Sequence, residues 1–214
     1  MLTVGILISG SGTNLQAILD RVADGSLRAR IGLVVSNRPG VLGLERAAAA
    51  GVPTQVIEHR GYARREDFDA AQVDTLRRAG VELVVLAGFD RLITRVLLGA
   101  FRDRVINIHP ALLPAFKGLH AQRQAVEYGV RVTGATVHFV DEDVDHGPII
   151  LQGAVAVDPD DTVETVTARV LEVEHRLYPA AIQLFADGRL EIAGRRVRIQ
   201  GDAPALPPPL LRPW

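Results

Sequence analysis

The chain has 214 residues, 48% hydrophobic and 23% charged, a balance that allows a sizeable buried core and argues for one globular domain. Lysine and arginine number 24 against 25 acidic residues, so a formal charge of −1 gives no reason to expect broad binding to nucleic acid or to an anionic membrane, and any phosphate contact must be local. The absence of cysteine excludes disulfides, thiolate catalysis and cysteine-ligated metals, and it suits a cytoplasmic location.

Segment 2–8 is apolar, lacks a basic leader and a small-residue cleavage site, and runs straight into glycines. It reads as a buried strand and not as a signal peptide. No apolar run reaches the ~18 residues of a membrane span. Runs rich in Val, Ile and Leu at 31–36, 53–57 and 83–87 read as further buried strands, interleaved with helical stretches near 14–23, 41–50 and 65–79. That alternation predicts an α/β fold, a mostly parallel twisted sheet with helices on both faces. Residues 104–109 make a fifth strand, stopped by Pro110, and 133–140 and 148–157 read as a strand pair across an acidic turn. From Thr162 to Asp187 the spacing of Val166, Val170, Val173, Leu177, Ile182 and Phe185 suits one helical face. Pro179 is expected to kink or divide that helix, and Asp161 or Thr162 to cap it. Gly188 ends it, 189–199 suggests a small hairpin, and 203–214 is proline-rich, a tail or an extended arm. There is no internal repeat and no linker strong enough to mark a second domain, so 1–200 is expected to be one domain and 201–214 a tail.

Between the first strand and the first helix stands Ser9-Gly10-Ser11-Gly12-Thr13-Asn14-Leu15. Glycines let a backbone approach an anion closely, and amides at a helix amino end favour a phosphate. The loop lacks the Gly-Lys-Ser ending of a Walker loop, and Leu15 occupies the third glycine position of a dinucleotide fingerprint, so a monophosphate fits better than a dinucleotide. The plainer alternative is a tight strand-to-helix turn capped by Thr13.

Asn107-Ile108-His109-Pro110 lies at the carboxyl end of a strand, where ligand crevices of parallel sheets open. Alternation points Asn107 and His109 to the same side. An amide donor beside an imidazole suits addition to a carbonyl carbon: both can stabilise an oxyanion, and the imidazole can exchange protons. The alternative is that both only satisfy buried backbone groups. In the acidic loop 141–145, Asp145 differs from its neighbours because it precedes Gly147-Pro148, where the chain turns back toward the sheet and carries that carboxylate inward. Placed near His109, it would orient the ring and favour its protonated form. A metal site gathering His109, His120, His138 or His146 with Asp145 is the competing use, and the spacing argues against it. His120, His138 and His146 read as structural or surface residues.

The loop Ser9 to Leu15, the stretch Leu86-Ala87-Gly88-Phe89, the run Asn107 to Leu119 and Gly134 to Pro148 occur in the order found in the phosphoribosylglycinamide formyltransferases, which this chain resembles from about residue 3 to about residue 190. The resemblance implies a Rossmann-like formyltransferase fold that transfers a formyl group from 10-formyltetrahydrofolate to glycinamide ribonucleotide. It implies no metal, no nucleic acid and no membrane partner, and a monomer or homodimer. It makes Asn107, His109 and Asp145 the catalytic set. Gly12, Thr13 and Asn14 would hold the ribonucleotide phosphate, and Glu174 would meet the substrate amine. Arg65 and the segment Asp90, Arg91, Leu92 and Ile93, together with Asn107, would contact the folate, the segment partly through its backbone. The N-terminal half would thus bind phosphate and the C-terminal half folate. Two positions depart from the family pattern: Asp90 stands where relatives often carry an apolar residue such as methionine, and Lys117 where many carry proline.

Three rivals remain. An enzyme formylating methionyl-tRNA would need a further nucleic-acid-binding domain, and only a short tail follows residue 190. A formyltetrahydrofolate hydrolase would carry a regulatory domain ahead of the glycine loop. A non-catalytic phosphosugar-binding module would have no need of Asn107, His109 and Asp145.

Overall fold

The computed structural model describes residues 1–202, so the proline-rich stretch 203–214 lies outside the described residues. The protein is α/β with a mostly parallel sheet, and it divides into two compact units. The first comprises Met1–Asn107 and Phe139–Glu142, the second Ile108–His138 and, among the described residues, 143–202. No linker marks these boundaries.

In the first unit, β1 (Leu2–Ile8) is buried along nearly its whole length, as a central parallel strand covered on both faces must be. It pairs in parallel with β2 (Ala29–Ser36) on one side and β4 (Leu83–Leu86) on the other. Strand β3 (Thr54–Val56) adds to β2, and β5 (Val105–His109) to β4, giving the order β3-β2-β1-β4-β5. The connections carry α1 (Thr13–Ala23), α2 (Leu42–Ala49), α3 (Arg65–Arg78) and α4 (Arg95–Ala100). A core of Leu7, Val35, Phe68, Leu76, Val84 and Leu97 joins strands to helices. All the β-branched and leucine residues of β4 are buried, and at roughly 1.5 to 3 kcal/mol for each large apolar side chain this burial holds the strand in the sheet centre. The expected buried strand at 53–57 is an exposed three-residue edge, with only Ile57 drawn into the core.

In the second unit, β6 (Val132–Phe139) and β7 (Ile149–Ala156) pair antiparallel, with a register shift between Val137 and His138. Gly134 and Gly153 let these strands and the long helix above them meet. A Cβ built on Gly134 would lie 1.9 Å from the Gly153 carbonyl oxygen, and one on Gly153 would lie 2.4 Å from Val173 Cγ1. That helix, α6 (Val163–Ala186), passes through Pro179 without dividing. Thr162 caps it by accepting from the Thr165 amide, while the Thr165 hydroxyl accepts from the Thr162 amide. Helix α5 (Ala121–Tyr128) lies beside α6. The hairpin is present as β8 (Leu190–Ala193) and β9 (Arg196–Ile199), docked on β7 through Arg196 and Ile149. Among the described residues no helix is long and apolar enough to cross a membrane.

Candidate active site

Strand β5 ends in Asn107-Ile108-His109, and Pro110 has no amide hydrogen with which to extend the ladder. His109 is only 4% exposed, and both its ring nitrogens have partners. Nε2 lies 2.8 Å from the Phe116 carbonyl oxygen, and Nδ1 lies 3.2 Å from Asp145 Oδ2. A carbonyl and an ionised carboxylate only accept, so a ring carrying hydrogens on both nitrogens satisfies both neighbours. Asn107, half-buried, sits two residues earlier on the same side of the strand.

Asp145 is brought to this ring by a left-handed turn of the acidic loop, φ 46°. Aspartate tolerates that conformation better than most residues. Its side chain is 10% exposed while that of Asp143, two residues earlier, is 79% exposed. The loop therefore separates one inward carboxylate from its solvated neighbours, as the turn at Gly147-Pro148 predicts. Asp145 Oδ2 also accepts from the Gly118 amide at 2.8 Å. Its other oxygen faces the buried His138, whose Nε2 is 3.8 Å away. His138 is thus part of this cluster, which the sequence reading missed. The residue lies at the register shift of β6, and nothing in the local sequence marks it. His120 begins α5 with φ 59°, and His146 lies against Arg195 at the surface. Among the described residues no group of three or more His, Asp or Glu is arranged to hold a metal ion. Glu174 is buried on α6, in the same unit as His109.

The glycine loop belongs to the first unit. Gly12, not Thr13, occupies the cap position of α1, with φ 72°, and among the described residues no side chain caps that end. No acidic residue stands in the first turn, so nothing there offsets the positive end of the helix dipole. Helix α2 fixes the loop from one side. The Gly43 amide donates to the Gly10 carbonyl at 3.1 Å, and Arg46 Nε donates to the Ser11 carbonyl at 3.0 Å. A Cβ at Gly12 would lie 2.7 Å from Gly43 Cα, so only glycine permits this approach. Asn14 is buried in the first turn of α1 and Thr13 half-buried.

The segment 90–93 joins β4 to α4 at the carboxyl edge of the sheet. Thr94 anchors its far end, its amide donating to Asp69 Oδ2 at 2.6 Å, and burial pushes the Asp69 carboxyl above the ordinary aspartate value. Leu92 is exposed, Arg91 and Ile93 are half-buried, and Arg65 lies exposed at the start of α3. Asp90 is bonded on both oxygens: Oδ1 accepts from Ser9 Oγ at 2.9 Å and Asn37 Nδ2 at 2.8 Å, and Oδ2 pairs with the Arg38 guanidinium. Partial burial pushes this carboxyl up, but the donors Asn37 and Ser9 and the charge of Arg38 together outweigh it and hold the group below the ordinary aspartate value.

Residues 2–182 match the formyl transferase family model. The phosphoribosylglycinamide formyltransferase of Escherichia coli is 39% identical over 207 residues, with 97% of each chain covered. The chain is 50% identical over 189 residues to the trifunctional purine biosynthetic protein adenosine-3 of Gallus gallus, covering 88% of this chain and spanning about a fifth (19%) of that longer protein. Among solved structures, glycinamide ribonucleotide transformylase 1 of Symbiobacterium toebii superposes with a TM-score of 0.92 at 56% identity, over 93% of this chain and 94% of that one.

Proposed function

The chain belongs to the formyl transferase family, and from that membership and the His109 cluster we infer that it moves the formyl group of 10-formyltetrahydrofolate to the amine of glycinamide ribonucleotide. The observation that carries the reading is the buried His109 ring, held at Nδ1 by Asp145 and followed on β5 by no further ladder. The substrate phosphate is received by Gly12, Thr13 and Asn14 at the uncapped amino end of α1, where amides and dipole favour an anion. The residues present also fit a folate donor. Leu92 offers exposed apolar surface to a flat ring system, and Arg65 offers an exposed guanidinium to an anionic tail. Asp90, Arg91 and Ile93 complete that segment through backbone groups.

The amine attacks the formyl carbon, forming a new C–N bond and an oxyanion. The Asn107 amide donates to that oxygen, and so does His109 Nε2–H, which exchanges its Phe116 carbonyl partner for the oxyanion while Asp145 holds Nδ1. Glu174 meets the attacking amine. Collapse of the intermediate breaks the carbon–N10 bond, one proton leaves the amine, and one reaches N10, so tetrahydrofolate and the formylated ribonucleotide are released. Alignment of two bound substrates supplies much of the remaining acceleration. The test is to mix the protein with both substrates and follow tetrahydrofolate release, then omit each in turn. Release that requires both substrates is expected. Release without the ribonucleotide would indicate a hydrolase, and none with both present would overturn the reading.

A further inference from the structure

We propose that the Asp90 carboxylate is a positioning residue for the glycine loop, holding Ser9 so that the following turn keeps the shape that receives the ribonucleotide phosphate. This rests on the reading of that loop as the phosphate site. Three strand ends of the first unit meet at this carboxylate: Ser9 follows β1, Asn37 and Arg38 follow β2, and Asp90 lies beyond β4.

Ser9 is committed to the β4 side by its amide and its hydroxyl. Its amide donates to the Gly88 carbonyl at 3.1 Å. Its hydroxyl donates to Asp90 Oδ1 at 2.9 Å and accepts from the Asp90 amide at 2.9 Å. Ser9 is only 7% exposed, so water is a poor substitute for these partners. Gly10 and Ser11, the next residues, are held by Gly43 and Arg46 from α2. The loop is therefore pinned from β4 at its first residue and from α2 at the next two, and the remaining stretch, from Gly12 into the first turn of α1, is the part offered to an anion.

A carboxylate at the edge of a phosphate site ought to repel its substrate. Here the charge is spread over three donors, and one of them, Arg38, is itself cationic. That neutralisation explains how an acidic residue is accommodated beside a site for an anion. An apolar side chain could not take the Ser9 hydroxyl, so in this chain the loop depends on the carboxylate at this position. Both Asp90 oxygens are occupied in this way, which leaves the donor contacts of the segment to its backbone and to Leu92 and Ile93.

The test compares wild type with Asp90→Ala, Asp90→Asn, Ser9→Ala and the Ser9→Ala/Asp90→Ala double variant. The readouts are steady-state kinetics in both substrates, amide hydrogen exchange of residues 10–14 in the ligand-free protein, and Tm. Asp90→Ala is expected to raise KM for the ribonucleotide by about 10-fold, the worth of one bond to a charged group, while KM for the donor and kcat stay within about twofold. Exchange at 10–14 should quicken with Tm little changed, and the double variant should be no worse than Asp90→Ala alone, because the two residues act through one contact. Unchanged exchange, a rise confined to the donor KM, or additive losses would each overturn the proposal. If Asp90→Ala does not fold, Ser9→Ala, which removes the hydroxyl that Asp90 holds, carries the same comparison. The exchange measurement involves no substrate. A wild-type protein that fails to use the ribonucleotide therefore removes the functional reading, whereas unchanged exchange in Asp90→Ala with wild type active removes only the role of Asp90 in holding the loop.

Discussion

At the scale of single residues, His109 is held on both sides of its ring, and this restraint fixes what its loss should do. Asp145 and the Phe116 carbonyl hold the imidazole before any substrate arrives, and exchange of the Phe116 bond for the oxyanion frees Nε2–H as a donor that His109→Ala removes. Turnover should fall by about 10²- to 10⁴-fold with KM values little altered, measured by steady-state kinetics. A turnover number equal to wild type would take His109 out of the mechanism. The pairing of Asn107 with His109 was legible in the sequence because strand alternation before a proline leaves little freedom. Asp145 was legible because Gly147-Pro148 forces a turn directly after it. His138 was not legible, because its nearness to Asp145 comes from a register shift in β6 and from the return of the acidic loop, which are tertiary events. Nor did the sequence show what the Asp90 side chain touches, since Ser9, Asn37 and Asp90 are brought together only by the order of the strands.

At the scale of elements, the strands and longer helices follow from period and composition. Helices α4 and α5, of 6 and 8 residues, escaped the sequence reading, although α2, also of 8 residues, did not. The exposed β3 had looked like a buried strand because a run of apolar residues does not reveal that it lies at a sheet edge. Gly134 and Gly153 show how closely the elements of the second unit are fitted. At Gly134 the obstacle is backbone, which cannot turn aside, whereas at Gly153 it is the side chains of Val173 and Leu177, which can partly rotate. Gly134→Ala should therefore destabilise by at least about 3 kcal/mol and Gly153→Ala by about 1 to 3 kcal/mol. Urea unfolding would check the order, and equal losses would show that β6 yields as readily as a rotamer.

At the scale of the whole molecule, acid stability has an identifiable contributor in the approach to α6. Asp161 takes two bonds from the Arg169 guanidinium, at 2.8 and 3.0 Å, and others from the Asp158 amide and the Thr165 hydroxyl. The Arg169 bonds outweigh the opposing effect of burial and hold the carboxyl far below the ordinary aspartate value. A group whose folded pKa is depressed contributes stability that is fully present above its unfolded pKa, about 3.9, and is lost as pH falls through the folded value. Arg169→Met should lower Tm by about 2 to 4 °C at pH 7, with the gap to wild type narrowing as the pH is taken below about 4. A gap that stayed constant across that range would mean the loss is one of packing alone. The division into two compact units was hidden from the sequence because one boundary falls inside β5 and another at the end of β6, where the composition does not change.

The contact between Gly12 and Gly43 makes the side-chain size allowed at one position depend on the other, 31 residues away. A Cβ at either would strike the surroundings of the other: Gly12 meets Gly43 Cα, and Gly43 meets Ile8 Cδ1 at 2.6 Å and the Gly10 carbonyl at 3.1 Å. Gly12 is the stricter of the two, because its obstacle is backbone and its φ is positive, whereas Ile8 Cδ1 is the end of a side chain that can rotate. In a library randomised at both codons and selected for growth that depends on the enzyme, survivors should keep glycine at 12 throughout, and any that replace Gly43 should carry only alanine there.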